Sequence, residues 1–148
     1  MDHSDSIDVA ATPEAVFELV SDLPGMGRFS PENTGGDWLG GVSAPALGAR
    51  FRGTNANGSK TWTTAARVTA FDPPSRFSFA VTFLGLKIAT WSYEIAATPT
   101  GSRVTESWLD QRSTFVKRFA STVENREDFT RESVRHTLVA LKAELERS

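Results

Sequence analysis

Cysteine is missing from this 148-residue chain, and its absence removes disulfides, thiol nucleophiles and thiolate metal sites together. Histidine is almost as scarce, with only His3 and His136. His3 falls in an acidic, polar terminus expected to be mobile. His136 lies about 160° round a helix from that helix's apolar stripe, on a face expected to be wet. Two distant histidines without cysteine do not make a metal centre, so neither a metal nor a cofactor is expected. No apolar run approaches the roughly 18 residues of a membrane span. The opening Met1-Asp2-His3-Ser4-Asp5 lacks the basic and apolar segments of a signal peptide, and a cytoplasmic protein is the expectation. Sixteen basic residues against eighteen acidic ones give a net charge of −2. They form no basic block, which argues against nucleic acid as a partner. A Ser-His-Asp order of the hydrolase type, a phosphate loop and a Rossmann glycine pattern are also lacking. The pairs Gly35-Gly36 and Gly40-Gly41 have neither the spacing nor the following helix.

Aromatic residues, by contrast, are plentiful: ten Phe, four Trp and one Tyr. The length is near the roughly 150 residues of one domain, so residues 1–148 are expected to fold as one unit with a real core. The longest helical pattern lies in 124–148, where Val134, Leu138, Leu141 and Leu145 are spaced +4, +3, +4 and form one narrow apolar stripe. A helix alone buries nothing, so this stripe needs a partner surface.

The strand-like sequence precedes it. Residues 6–10 suit a short first strand. Thr12-Pro13-Glu14 reads as a helix start, with Thr as cap and Pro in the first turn, and that helix ends before Leu23-Pro24-Gly25. Residues 26–31 read as a broken helical turn. Strands are then expected near 35–41 and 49–55, with Asn57-Gly58 as a hairpin signal. In 61–71 the set Trp62, Thr64, Ala66 and Val68 should face inward. The same period continues in Phe77, Phe79, Val81 and Phe83, then in Trp91, Tyr93 and Ile95, and finally in Val104, Glu106, Trp108 and Asp110. Short turns between consecutive strands imply antiparallel neighbours. The order is strand, two short helices, about six strands, long helix: an α+β chain whose curved sheet closes on one helix.

That order resembles the START-like (SRPBCC) helix-grip superfamily, specifically its polyketide cyclase/dehydrase and lipid-transport group. The resemblance covers essentially the whole chain. It rests on Ala11-Thr12-Pro13-Glu14-Ala15-Val16-Phe17, on Arg28-Phe29-Ser30-Pro31-Glu32 through Gly35-Gly36-Asp37-Trp38-Leu39-Gly40-Gly41, on Gly48-Ala49-Arg50-Phe51-Arg52-Gly53, and on Arg103-Val104-Thr105-Glu106-Ser107-Trp108. It implies a seven-stranded antiparallel sheet wrapped around the C-terminal helix with a deep apolar cavity between them. No catalytic motif of the group can be placed residue by residue, and one such scaffold carries carriers, receptors and enzymes alike.

The candidate site residues follow from the inward pattern. Phe51, Trp62, Thr64, Phe79, Phe83, Trp91, Tyr93 and Trp108 are expected to wall a ligand cavity, joined by Trp38; plain core packing is the alternative. Asn55 and Asp110 stand near the mouth of the sheet, and Ser30-Pro31-Glu32 near the entrance. Extending the helix stripe backward gives Val123, Glu127 and Thr130, a less apolar end expected to roof the cavity. Glu106 is the most pointed residue. Between Val104 and Trp108 it faces inward, where a carboxylate is costly unless paired. It either forms a salt bridge with Arg126, Arg131 or a strand arginine, or serves as ligand anchor or acid–base group. The leading expectation is a carrier or sensor of a hydrophobic or aromatic small molecule, such as a lipid or polyketide-like metabolite. A cyclase, aromatase or dehydratase using Glu106 is the second expectation. A protein-interaction module, for instance a homodimer through exposed sheet edges, is the third.

Overall fold

The alternating stretches become one seven-stranded antiparallel sheet with the order β1-β7-β6-β5-β4-β3-β2 in a computed structural model that describes residues 2–119 and 126–147. The strands are β1 (Asp2–Val9), β2 (Asn33–Trp38), β3 (Arg50–Asn57), β4 (Lys60–Asp72), β5 (Arg76–Phe83), β6 (Leu86–Thr98) and β7 (Gly101–Asp110). Between β1 and β2 come α1 (Pro13–Val20) and a 3-10 helix at Leu23–Arg28; after β7 come α2 (Thr114–Phe119) and α3 (Arg126–Glu146). This is the helix-grip architecture expected from the sequence.

Local chemistry explains most of the boundaries. The Thr12 hydroxyl accepts the Ala15 N–H at 3.2 Å and caps α1, with Pro13 in the first turn, as the residue types require. Asn57 pairs with Lys60 across a two-residue hairpin in which Gly58 has φ +62°, the left-handed backbone that glycine adopts without penalty. Gly101 opens β7 at φ +151°, and any Cβ there would strike the Val9 carbonyl and the Ala11 nitrogen.

Three expectations need correction. His3 is not in a free terminus: it pairs with Trp108 in the β1–β7 ladder, and its Nε2 is buried without a hydrogen-bond partner among the described residues. β1 starts earlier than expected because five polar residues along an edge do not prevent a strand when β7 supplies the hydrogen bonds. In β4 the inward phase slips. A register shift between Val68 and Ala70 carries Phe71 to the core side, where strict alternation from Val68 would have put Asp72. Finally, α2 was not expected; the Ser113 hydroxyl accepts the Val116 N–H at 3.2 Å and starts it.

α3 packs chiefly along β1. Val134, Leu138 and Leu141 are each at most 1% exposed, so the stripe is structural. Polar ties hold the same edge: Arg135 pairs with Asp5 at 3.3 Å, Lys142 donates to the Asp8 carbonyl at 3.0 Å, and Glu146 accepts the Ala10 N–H at 2.9 Å. With the helix fixed along one margin, the sheet curls past it and leaves the middle of the grip unfilled. Among the described residues no helix is long and apolar enough to cross a membrane.

Candidate functional site

The unfilled middle is a cavity of about 150 Å³ between the inner face of the sheet and α3. One wall is Phe51, Asn55, Trp62 and Thr64 from β3 and β4. The opposite wall is Phe79 and Phe83 from β5 with Trp91 and Tyr93 from β6. β7 supplies Glu106 and Trp108 between that wall and the helix. The indoles of Trp91 and Trp108, directly opposite in the β6–β7 ladder, lie 6.4 Å apart with planes 34° from parallel. Phe51 reaches its place because Gly36 in β2, with φ +152°, has no side chain; a Cβ there would meet the Phe51 ring and the Arg52 carbonyl.

Glu106 is the chemical centre of the cavity. It is 3% exposed. Its Oε2 accepts the Tyr93 hydroxyl at 3.0 Å, and its Oε1 has no hydrogen-bond partner among the described residues. Among the described residues no arginine pairs with it. Arg126 is bound to Glu32 at 2.8 Å and Arg131 is exposed, so the expected salt bridge is not formed. Burial pushes the Glu106 carboxyl up to about 8; the Tyr93 hydrogen bond opposes this and the Asp5 charge reinforces it. Burial, followed by the Glu106 charge and hydrogen bond, likewise raises Tyr93 well above its usual value. At neutral pH the pair is therefore a carboxylic acid and a phenol. Because Oε2 is occupied as an acceptor, the acid proton belongs on Oε1, the oxygen left without a partner.

Two ion pairs edge the cavity. Arg112 grips Asp110 through Nε at 2.8 Å and Nη2 at 2.7 Å, a bidentate geometry, and its guanidinium lies 5.9 Å from the Trp108 ring. Burial would raise the Asp110 carboxyl, but the Arg112 hydrogen bonds outweigh it and leave it lowered. Arg126 and Glu32 join the start of α3 to the segment before β2 at 2.8 Å, with 16% and 17% of their side chains exposed. Ser30 and Glu32 line this side, as expected of the entrance, while Pro31 is exposed and does not.

The expected wall of Phe51, Trp62, Thr64, Phe79, Phe83, Trp91, Tyr93, Glu106 and Trp108 thus comes together around one space. Trp38 does not join it. Its ring stands edge-on to Phe51 at 5.4 Å, beside the wall. The helix contribution also differs. Thr130 is 2% exposed but does not border the cavity, nor does the half-buried Glu127, and Val123 lies outside the described residues. The face turned to the cavity is Arg126, Ser133 and Thr137. Spacings of seven and four keep these three on one line, about 100° round from the leucine stripe. Leucines mark where a helix is packed, whereas small hydroxyl residues at i and i+4 beside them were the available sign of a cavity face. Arg112 and Val116 were missed as well; the Ser113-Thr114 cap ahead of Phe115-Val116 was their sequence signal.

An antiparallel sheet gripping a long helix around an apolar cavity defines a small-molecule binding fold. The chain belongs to the family described as polyketide cyclase / dehydrase and lipid transport, whose family model matches residues 2–146. Among solved structures, it is similar to the Polyketide_cyc-like protein Cgl2372 of Corynebacterium glutamicum, with 29% identity, a TM-score of 0.64 and coverage of 98% of this chain and 91% of that one. The di-domain ARO/CYC BexL from the BE-7585A biosynthetic pathway superposes with a TM-score of 0.73 at 18% identity over 100% of this chain and 50% of that one. DR_A0006 of Deinococcus radiodurans gives a TM-score of 0.70 at 17% identity, with 99% and 98% covered. The latter two likenesses are of fold alone. No curated protein sequence matches the chain.

Proposed function

We propose that this protein binds a hydrophobic or aromatic small molecule in the cavity between the sheet and α3, as a carrier or sensor. One observation carries the reading: a space of about 150 Å³ walled by Trp62, Trp91 and Trp108 holds a buried carboxyl oxygen, Glu106 Oε1, with no hydrogen-bond partner among the described residues. A buried polar atom left unsatisfied costs roughly 1–3 kcal/mol, which a core would avoid and a bound ligand would recover. Membership of a family that includes lipid transport supports the same reading. Native mass spectrometry of freshly purified protein tests it. A co-purifying organic molecule, or uptake of aromatic compounds in a one-to-one ratio, is the expected result. A chain that takes up nothing from a panel of aromatic and acyl compounds overturns it.

A second reading is favoured by one specific observation. The Glu106 carboxyl lies buried in the cavity with Tyr93 donating to its Oε2 at 3.0 Å, and burial pushes it up to about 8, the direction a general acid needs near neutral pH. A cyclase or dehydratase would use a proton of this carboxyl on a reactive chain positioned by the aromatic wall, and membership of a family described as polyketide cyclase / dehydrase agrees with it. Turnover of a poly-β-ketone mimic that disappears in Glu106→Gln is its signature. Turnover that survives that change assigns the acid elsewhere.

A further inference from the structure

The cavity restricts the chemistry of what it holds, and this restriction rests on the binding reading above. Glu106 accepts through Oε2 from Tyr93 on β6 at 3.0 Å. Tyr93 donates its only proton in that bond, so the carboxyl's own hydrogen is left on Oε1, which finds no acceptor among the described residues. The cavity therefore contains a neutral donor in need of an acceptor.

The charges around it narrow the choice further. On β1, Asp5 stands directly across from Glu106 in the ladder, and its carboxylate is held by Arg135 of α3. His3, on the same strand, is the ladder partner of Trp108. On the cavity wall, Arg112 is taken by Asp110 and Arg126 by Glu32. A bound anion would face Glu106 with both wall arginines already paired to carboxylates. A bound cation would first have to ionise a carboxyl that burial keeps protonated, and desolvation of such a pair offsets much of its attraction. An uncharged ligand meets neither cost. Size sets the remaining limit. A volume of about 150 Å³ is that of an engineered cavity that accepts benzene, and the faces of Trp91 and Trp108 suit a flat molecule.

We infer that the ligand is an uncharged aromatic molecule of one or two rings that presents a carbonyl-type oxygen to the Oε1 hydroxyl of Glu106. Binding is then linked to the proton. The donor is lost as Glu106 ionises, so affinity for the carbonyl compound falls as pH rises through about 8, while an apolar isostere without the oxygen binds equally on both sides.

Ligand-observed fluorine NMR separates the possibilities, using 4-fluoroacetophenone, 4-fluoroethylbenzene as its isostere, and 4-fluorobenzylamine as a cation. The ketone is expected to bind roughly 5- to 10-fold more tightly than the isostere at about pH 6, the worth of one hydrogen bond, with the ratio approaching one at about pH 9.5. Glu106→Gln, whose amide N–H also donates, keeps the preference at both pH values. Glu106→Leu loses it while still binding the isostere. Equal binding of ketone and isostere at about pH 6 overturns the inference but leaves the binding reading standing. An amine that binds most tightly and gains with pH overturns it in favour of a cation site. If neither ketone nor isostere binds, the inference fails, and the binding reading is then decided by its own panel of aromatic and acyl compounds. The wild-type comparison needs no variant to fold.

Discussion

At the end of the grip next to α1, Phe17, Phe71 and Phe77 meet edge to face with ring centres 5.3, 6.2 and 6.5 Å apart. Val16, Val20, Leu138 and Leu141 close around them, each at most 1% exposed. At the other end the aromatic residues are as numerous, but Trp62, Phe79, Phe83 and Trp91 are only half-buried and turn one face to open space. The same β strands run through both ends. What changes is the partner: leucine and valine from the helices at one end, Ser133, Thr137 and the carboxyl of Glu106 at the other. Aromatic content alone therefore does not distinguish a packed core from a cavity wall; the side chains facing it do.

Truncations should separate the two ends most sharply. Phe77→Ala and Leu138→Ala remove fully buried side chains from the closed end and are expected to cost about 3–5 and 2–5 kcal/mol. Trp62→Ala, with one side already on a cavity, should cost well under half of that and act mainly on ligand uptake. Urea denaturation of the three variants measures the contrast, and equal losses would erase it.

A pH series probes the open end next. The native state holds the Glu106 proton up to about 8, whereas an ordinary carboxyl releases it near 4.5. The contribution of this group to stability is thus complete below pH 4.5 and is lost as pH rises to about 8, by a few kcal/mol. Glu106→Leu is expected to flatten that part of the profile, read as the thermal midpoint against pH, with the Phe77 end unaffected. A wild-type midpoint that stays level over this interval would mean that the carboxyl titrates normally.

Smaller effects are expected at the entrance and on the helix. Glu32→Gln weakens the largely buried pair with Arg126 and should cost roughly 1–2 kcal/mol, while speeding release of a bound aromatic in stopped-flow displacement. Ser133→Ala should change stability by no more than about 0.5 kcal/mol and alter affinity for polar ligands only. A loss comparable to Leu138→Ala would place Ser133 in the packed core instead.

Period-2 alternation was readable from the sequence wherever the ladder is regular. Trp91, Tyr93 and Ile95, and Val104, Glu106 and Trp108, face inward as their spacing requires. It failed at Phe71, because a bulge shifts phase through backbone geometry that no side-chain pattern records. The leucine stripe of α3 was legible for the same reason as the strands. Which neighbouring face borders the cavity was not, since that depends on how β1 fixes the helix in rotation through Arg135, Lys142 and Glu146. The inward direction of Glu106 could be derived, but its lack of a cation could not. Arg126 was close enough in sequence terms to serve, and only the fold reveals that Glu32 has taken it.

The strand order has one more consequence, since it leaves β1 and β2 as the outermost strands. An open sheet invites further strands from other chains unless its margins refuse them. Beside β1, α3 already takes backbone groups, Lys142 donating to the Asp8 carbonyl and Glu146 accepting the Ala10 N–H, which obstructs a strand laid along that margin. β2 is short, slips register between Asn33 and Gly35, and has left-handed backbone at Gly35 and Gly36, so its free N–H and C=O groups do not form a regular template. The glycine that makes room for Phe51 in the cavity wall thus also blunts the margin of the sheet, and growth by strand addition is discouraged on both sides.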